Sequence, residues 1–197
     1  MAGGPGRAQP HRMGTRDDGS SPVRVVGLGN VFRGDDALGP WVVARLLADW
    51  TFPPAVALSD AGTPGLDLTP FLSGARHVIL VDTVKAAGRP GDVRLYSKAE
   101  VRELPPSPGL SHHGPGVMET VALLDLAGEG PESLLLVGVV PGPVGHGARL
   151  SDEVRAAVAR AADVVVAELV RLGYPPRRRV PPLKAEPWWE KTPGSGG

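Results

Sequence analysis

The chain of 197 residues contains no cysteine. Disulfides, thiolate metal sites and a cysteine nucleophile are therefore excluded, and any metal site is left to histidine, carboxylate and water. An excess of charge of either sign is also missing. Lys and Arg balance Asp and Glu at 21 each, so nothing attracts nucleic acid or an anionic membrane in general, and no nucleic-acid partner is expected. No apolar run is long enough to span a bilayer, and the opening MAGGPGRAQPHRMG lacks the apolar centre of a secretory signal. The expectation is a cytoplasmic protein without membrane insertion. Large apolar residues are nearly absent from 1–21, which reads as a disordered leader. The stretch 175–197 is rich in proline and ends in GSGG, so it reads as a flexible tail with Trp188 and Trp189 as its anomaly. Between them, 22–174 has the length of a single domain with a substantial core.

What is present centres on Pro22 to Pro40, PVRVVGLGNVFRGDDALGP. Val23, Val25, Val26 and Leu28 make a short β-branched, apolar run suited to a buried parallel strand. Gly27 and Gly29 let the backbone turn and approach closely, and Pro40 sets a helical φ at the start of WVVARLLADW. Asp35 and Asp36 thus fall in a strand-to-helix loop, at the rim where open α/β sheets bind ligands. Carboxylates before a helix also serve as caps and dipole partners, so Asp36 needs companions before it carries chemistry.

Further along, Val42, Val43, Leu46, Leu47 and Trp50 recur at helical spacing. Val56 to Leu58 reads as a short strand followed by the loop SDAGTPGLDL. HVILVDTV is a buried strand running into Asp82, and VRLYS is a further strand for which an edge would keep Arg94 wet. SHHGPG leads into a helix from Val117 to Gly128, and SLLLVGVV is the last buried strand. Ser151 can cap a long helix whose first turn holds Asp152 and Glu153 and which Gly173 and Pro175 end. The alternation implies an α/β fold, a three-layer αβα sandwich around a mostly parallel twisted sheet. Asp36, Asp82 and His113 belong to loops of one rim. Two carboxylates and an imidazole suit a borderline divalent ion such as nickel or zinc.

The stretch VVGLGNVFRGDDALGP resembles the opening motif of the hydrogenase maturation endopeptidases, which remove a C-terminal extension from the large-subunit precursor of nickel-iron hydrogenases. Asp60-Ala61-Gly62-Thr63-Pro64-Gly65 resembles that family's D-G-G-T loop, with Ala61 in place of a glycine. Ile79 to Asp82 is similar to its second acidic segment, Ser111 to Gly116 to its S-x-H-x-x-G segment, and Val137 to Pro141 with Leu150-Ser151 to its last strand and helix start. The resemblance implies a peptidase in which Asp36, Asp82 and His113 bind metal and take part in catalysis. By the same resemblance Asp60 corresponds to an acidic loop residue that the family associates with activity, and His112 is a rival to His113. It also implies that nickel arrives in the substrate, a hydrogenase large-subunit precursor, and serves both as check and as handle for cleavage. Two other classes remain alternatives. One is a cofactor- or nucleotide-binding module using the glycine loop and Asp60, although Gly34 falls two residues late for G-x-G-x-x-G. The other is a non-catalytic maturation chaperone that inspects nickel.

Overall fold

Val23, Val25 and Val26 belong to β1 (Val23–Leu28), a strand whose six residues are all buried. The computed structural model describes residues 21–62, 68–103, 117–142, 149–185, 187 and 189. After β1 comes a single 3-10 turn, Gly34–Ala37, and then α1 (Leu38–Asp49), β2 (Trp50–Thr51) and β3 (Val56–Gly62). The chain continues through α2 (Thr69–Leu72), β4 (His77–Thr83), β5 (Val93–Ser97) and α3 (Lys98–Val101). It ends with α4 (Val117–Leu126), β6 (Ser133–Val139), α5 (Asp152–Arg171) and β7 (Arg177–Arg178).

The main sheet has the order β3-β1-β4-β6-β5. β1 runs parallel to both β3 and β4, β4 runs parallel to β6, and β5 is antiparallel to β6 at the edge. Side-chain alternation divides the core into two layers. Val23, Val25, Ile79, Val81, Val137 and Val139 pack with α1 and α5 on one face. Val26, Leu28, Val78, Leu80, Leu134 and Leu136 pack with α2, α3 and α4 on the other. Arg24 shares the second face and, though buried, donates from its guanidinium to Pro70 O at 2.9 Å. The result is the expected three-layer sandwich around a mostly parallel sheet.

The start of α1 is drawn tightly onto the strand ends. A Cβ at Gly39 would lie 2.2 Å from Leu28 O and 2.5 Å from Val81 O, so only glycine allows this approach.

Two local readings are corrected. β3 does not stop at Leu58. Its parallel ladder to β1 continues through Gly27↔Asp60, and Gly29 N donates to Gly62 O at 2.8 Å, so Asp60 lies within the strand and not in a loop. The chain after Pro175 does not hang free over its described part. β7 pairs antiparallel with β2, Leu183 N donates to Ala48 O at 2.9 Å, and Trp189 meets Trp41 edge-on at 5.7 Å. The leader, apart from buried Ser21, lies outside the described residues. Among the described residues no helix is long and apolar enough to cross a membrane.

Candidate active site

β1 and β4 end side by side, Gly27 opposite Val81, so the loop after β1 and the end of β4 open on one rim. Gly29 makes the turn possible. Its φ is +132°, and a Cβ there would fall 1.7 Å from Asp36 O, so the 3-10 turn can fold back on the strand end only past a bare glycine. Asp36 N donates to Arg33 O at 3.2 Å, and Asp36 Oδ2 accepts from Asn30 N at 3.2 Å. Asp36 is half-buried, with its neighbour Asp35 fully covered.

Sequence reasoning set Asp35 beside Asp36 at the rim but gave it no role of its own. Its Oδ2 accepts from Gly142 N at 2.8 Å and from Ser151 Oγ at 2.9 Å, and its Oδ1 accepts from Ser151 N at 2.6 Å. One buried carboxylate therefore ties the turn that carries Asp36 to Gly142 after β6 and to Ser151 at the start of α5. The paired aspartates were visible in the sequence, but the partners lie 107 and 116 residues away, beyond any local signal.

Asp82 is 1% exposed at the end of β4, and its Oδ1 accepts from Thr83 N at 2.7 Å. Burial holds its carboxyl well above the ordinary carboxylate range. The Thr83 N–H pulls the other way, and the negative charge of Asp36 adds to the rise. Asp82 therefore feels the charge of Asp36. Asp60 is also buried, and its Oδ1 accepts from Gly62 N at 2.9 Å. Alternation along β3 sets it on the α1 face with Val56 and Leu58, whereas Asp82 follows Val78 and Leu80 on the opposite face. Asp60 and Asp82 therefore leave the sheet on opposite faces. His112, His113 and His146 lie outside the described residues. Among the described residues no three metal-binding side chains gather. A third ligand to an ion at Asp36 and Asp82 would have to come from elsewhere in the chain or from the metal's carrier.

The hydrogenase maturation protease family model matches residues 40–168. Hydrogenase expression/formation protein HupM of Azotobacter chroococcum is 32% identical over 157 residues, covering 79% of this chain and 75% of that protein. Hydrogenase 2 maturation protease of Escherichia coli is 30% identical over 152 residues, covering 77% of this chain and 92% of that protein. Among solved structures, the hydrogenase maturating endopeptidase HybD of Escherichia coli superposes with a TM-score of 0.74 at 29% identity. That match covers 81% of this chain and 98% of HybD. The family model runs from α1 into α5 and the solved relative shares the fold, and on that agreement the chain belongs to the hydrogenase maturation proteases and is a peptidase.

Proposed function

We propose that this peptidase removes the C-terminal extension of a nickel-iron hydrogenase large-subunit precursor once nickel has been inserted, and that Asp36, Asp82 and His113 recognise the nickel the precursor carries. A cytoplasmic setting is part of this reading. The observation that carries it is the pair Asp36 and Asp82 at one rim. The second of these carboxyls is buried and lies within the electrostatic reach of the first. Two carboxylates brought together in a poorly hydrated place repel one another, and a divalent cation relieves both the repulsion and the lost hydration. With an imidazole from His113 they form an oxygen and nitrogen set that accepts nickel while leaving positions for the carrier's own ligands. Nickel in that position would supply Lewis acidity toward the scissile carbonyl and an attacking water.

This chain's residues would do the rest. Asp36, fixed by Asn30 N and by the 3-10 turn, sets where the precursor's metal comes to rest. Asp82, with Oδ1 steered by Thr83 N, fixes the second direction of approach. Asp60 leaves the sheet on the face opposite to Asp82 and stays outside this metal-binding set.

The test is incubation of the purified protein with nickel-loaded precursor, nickel-free precursor and casein. Shortening of the nickel-loaded precursor alone is expected. Cleavage of the nickel-free precursor or of casein would overturn the nickel requirement, and tight nickel-dependent binding without cleavage would mark an inspecting chaperone. In the same assay His113→Ala should abolish shortening while His112→Ala retains it. Equal loss in both would remove His113 from the ligand set.

A further inference from the structure

The loop that delivers Asp36 is closed by its own hydrogen bonds. Asn30 N donates to Asp36 Oδ2 at 3.2 Å, Phe32 N donates to Asn30 Oδ1 at 2.9 Å, and Arg33 N donates to Asn30 O at 3.0 Å. Asp36 N then returns to Arg33 O at 3.2 Å. Within this ring the side chains of neighbouring residues go opposite ways. Val31 turns inward and joins the core against α1, whereas Phe32 is 64% exposed. These bonds use the backbone amide of Phe32, and most of its side chain faces water.

Single exposed apolar residues are common on proteins and carry no meaning alone. Phe32 differs from the others in its place. Leu95, Leu123, Leu126, Val170, Val180 and Leu183 are also exposed, but among these described residues Phe32 is the one whose segment holds a candidate site residue. It is also ordered in advance. Because the ring's backbone is pinned through Asn30 to the carboxylate of Asp36, less freedom is lost when something covers it, and aromatic side chains held in this way are typical binding anchors.

We infer that Phe32 is a substrate-contacting residue: its ring packs on an apolar side chain of the precursor polypeptide when the precursor's C-terminal segment lies at Asp36. The inference rests on the function proposed above and adds a determinant of substrate choice that involves neither metal nor proton transfer. Covering the ring takes apolar surface out of water when the precursor docks and uncovers it when the product leaves. Such an interaction is made equally in the bound ground state and the transition state. Its loss raises KM and leaves kcat unchanged where dissociation is faster than chemistry.

The experiment uses the full chain and a nickel-loaded large-subunit precursor that the unsubstituted protein is first seen to shorten. Phe32→Ala should raise KM by about tenfold, the effect of losing one well-covered aromatic contact, with kcat unchanged. Phe32→Leu should recover most of the affinity, and Leu126→Ala, at a remote exposed position, should change nothing. An unchanged KM in Phe32→Ala, or a fall in kcat with KM unaltered, overturns the inference while leaving the proposed function standing. If the unsubstituted chain shortens no precursor, the function itself falls and the inference with it.

Discussion

Asp82 carries a carboxyl group where water hardly reaches, and among the described residues it has one backbone donor, Thr83 N. Asp35 is buried to a similar degree but has three donors from Gly142 and Ser151. The contrast separates two roles. A buried carboxylate saturated with donors braces structure, whereas one left with little compensation for its lost hydration destabilises the protein unless a cation arrives. Replacing Asp82 by asparagine keeps an oxygen for Thr83 N and removes the ionisable group. Asp82→Asn is therefore expected to stabilise the metal-free protein by about 1 kcal/mol, roughly 2–4 °C in Tm, while abolishing precursor shortening. Thermal denaturation in the presence of a chelator, run beside the processing assay, measures both. A lowered Tm would show that the carboxylate is compensated after all and would remove the physical case for a cation there.

Packing between helices on the α4 face depends on a different aspartate. Lys98 Nζ donates to Asp125 Oδ1 at 2.6 Å and the Arg102 guanidinium donates to Asp125 Oδ2, so α3 and the turn after it are tied to α4. Partial burial pushes the Asp125 carboxyl upward, but the Lys98 and Arg102 cations together outweigh it and hold the carboxyl below its ordinary range. A folded-state value below the unfolded one means stability present at neutral pH and lost as pH falls through the depressed titration. Asp125→Asn should therefore cost about 1 kcal/mol at pH 7, and its Tm should converge on that of the unsubstituted protein as the pH is lowered past the ordinary carboxylate value of 3.8. A gap in Tm that persists at acid pH would mean that packing, not charge, is what the substitution disturbs. None of this network could be read from the sequence, because Lys98 and Asp125 belong to separate helices. What could be read was periodic or local. The apolar runs of β1, β4 and β6 and the stripe of α5 announced themselves, as did the Ser151 cap, whose Oγ accepts from Val154 N at 3.4 Å. The same Ser151 also donates to Asp35, and that second use stayed hidden because it depends on how distant segments meet. The extent of β3 was misjudged for the same reason. SDAG carries turn-forming residues, yet its neighbour β1 supplies a ladder that keeps it extended as far as Gly62.

Across the whole molecule, the least legible feature was the segment after α5, whose prolines argued for a free tail. The end of α1 supplies what the prolines did not reveal. A helix leaves its last four carbonyls without helical partners. Here Trp50 N caps Leu46 O, Arg179 Nε donates to Leu47 O at 3.2 Å, Leu183 N to Ala48 O at 2.9 Å and Arg179 N to Asp49 O at 2.7 Å. Arg179 Nε also reaches Trp50 O at 3.0 Å, and the Arg178 guanidinium lies over the Trp50 ring at 5.7 Å. The segment then reaches Trp41 in the first turn of α1 through Trp189. The element that begins just after Asp36 is therefore held at its far end by residues from beyond the last helix. Truncation after Tyr174 should strip three of those carbonyls of their partners and uncover Trp41 and Trp50. The expected loss is about 3 kcal/mol, or roughly 6–12 °C in Tm, softened by water that can reach the released groups. Arg179→Ala should show about a third of that loss, since the backbone amide at 179 remains. Because the 3-10 turn lies at the opposite end of α1, precursor shortening well below the new Tm should persist in both variants. A truncated chain that melts with the full one would mean that the segment rests on α1 without supporting it. A truncated chain that keeps its Tm but loses activity would instead give the segment a direct part in handling the precursor.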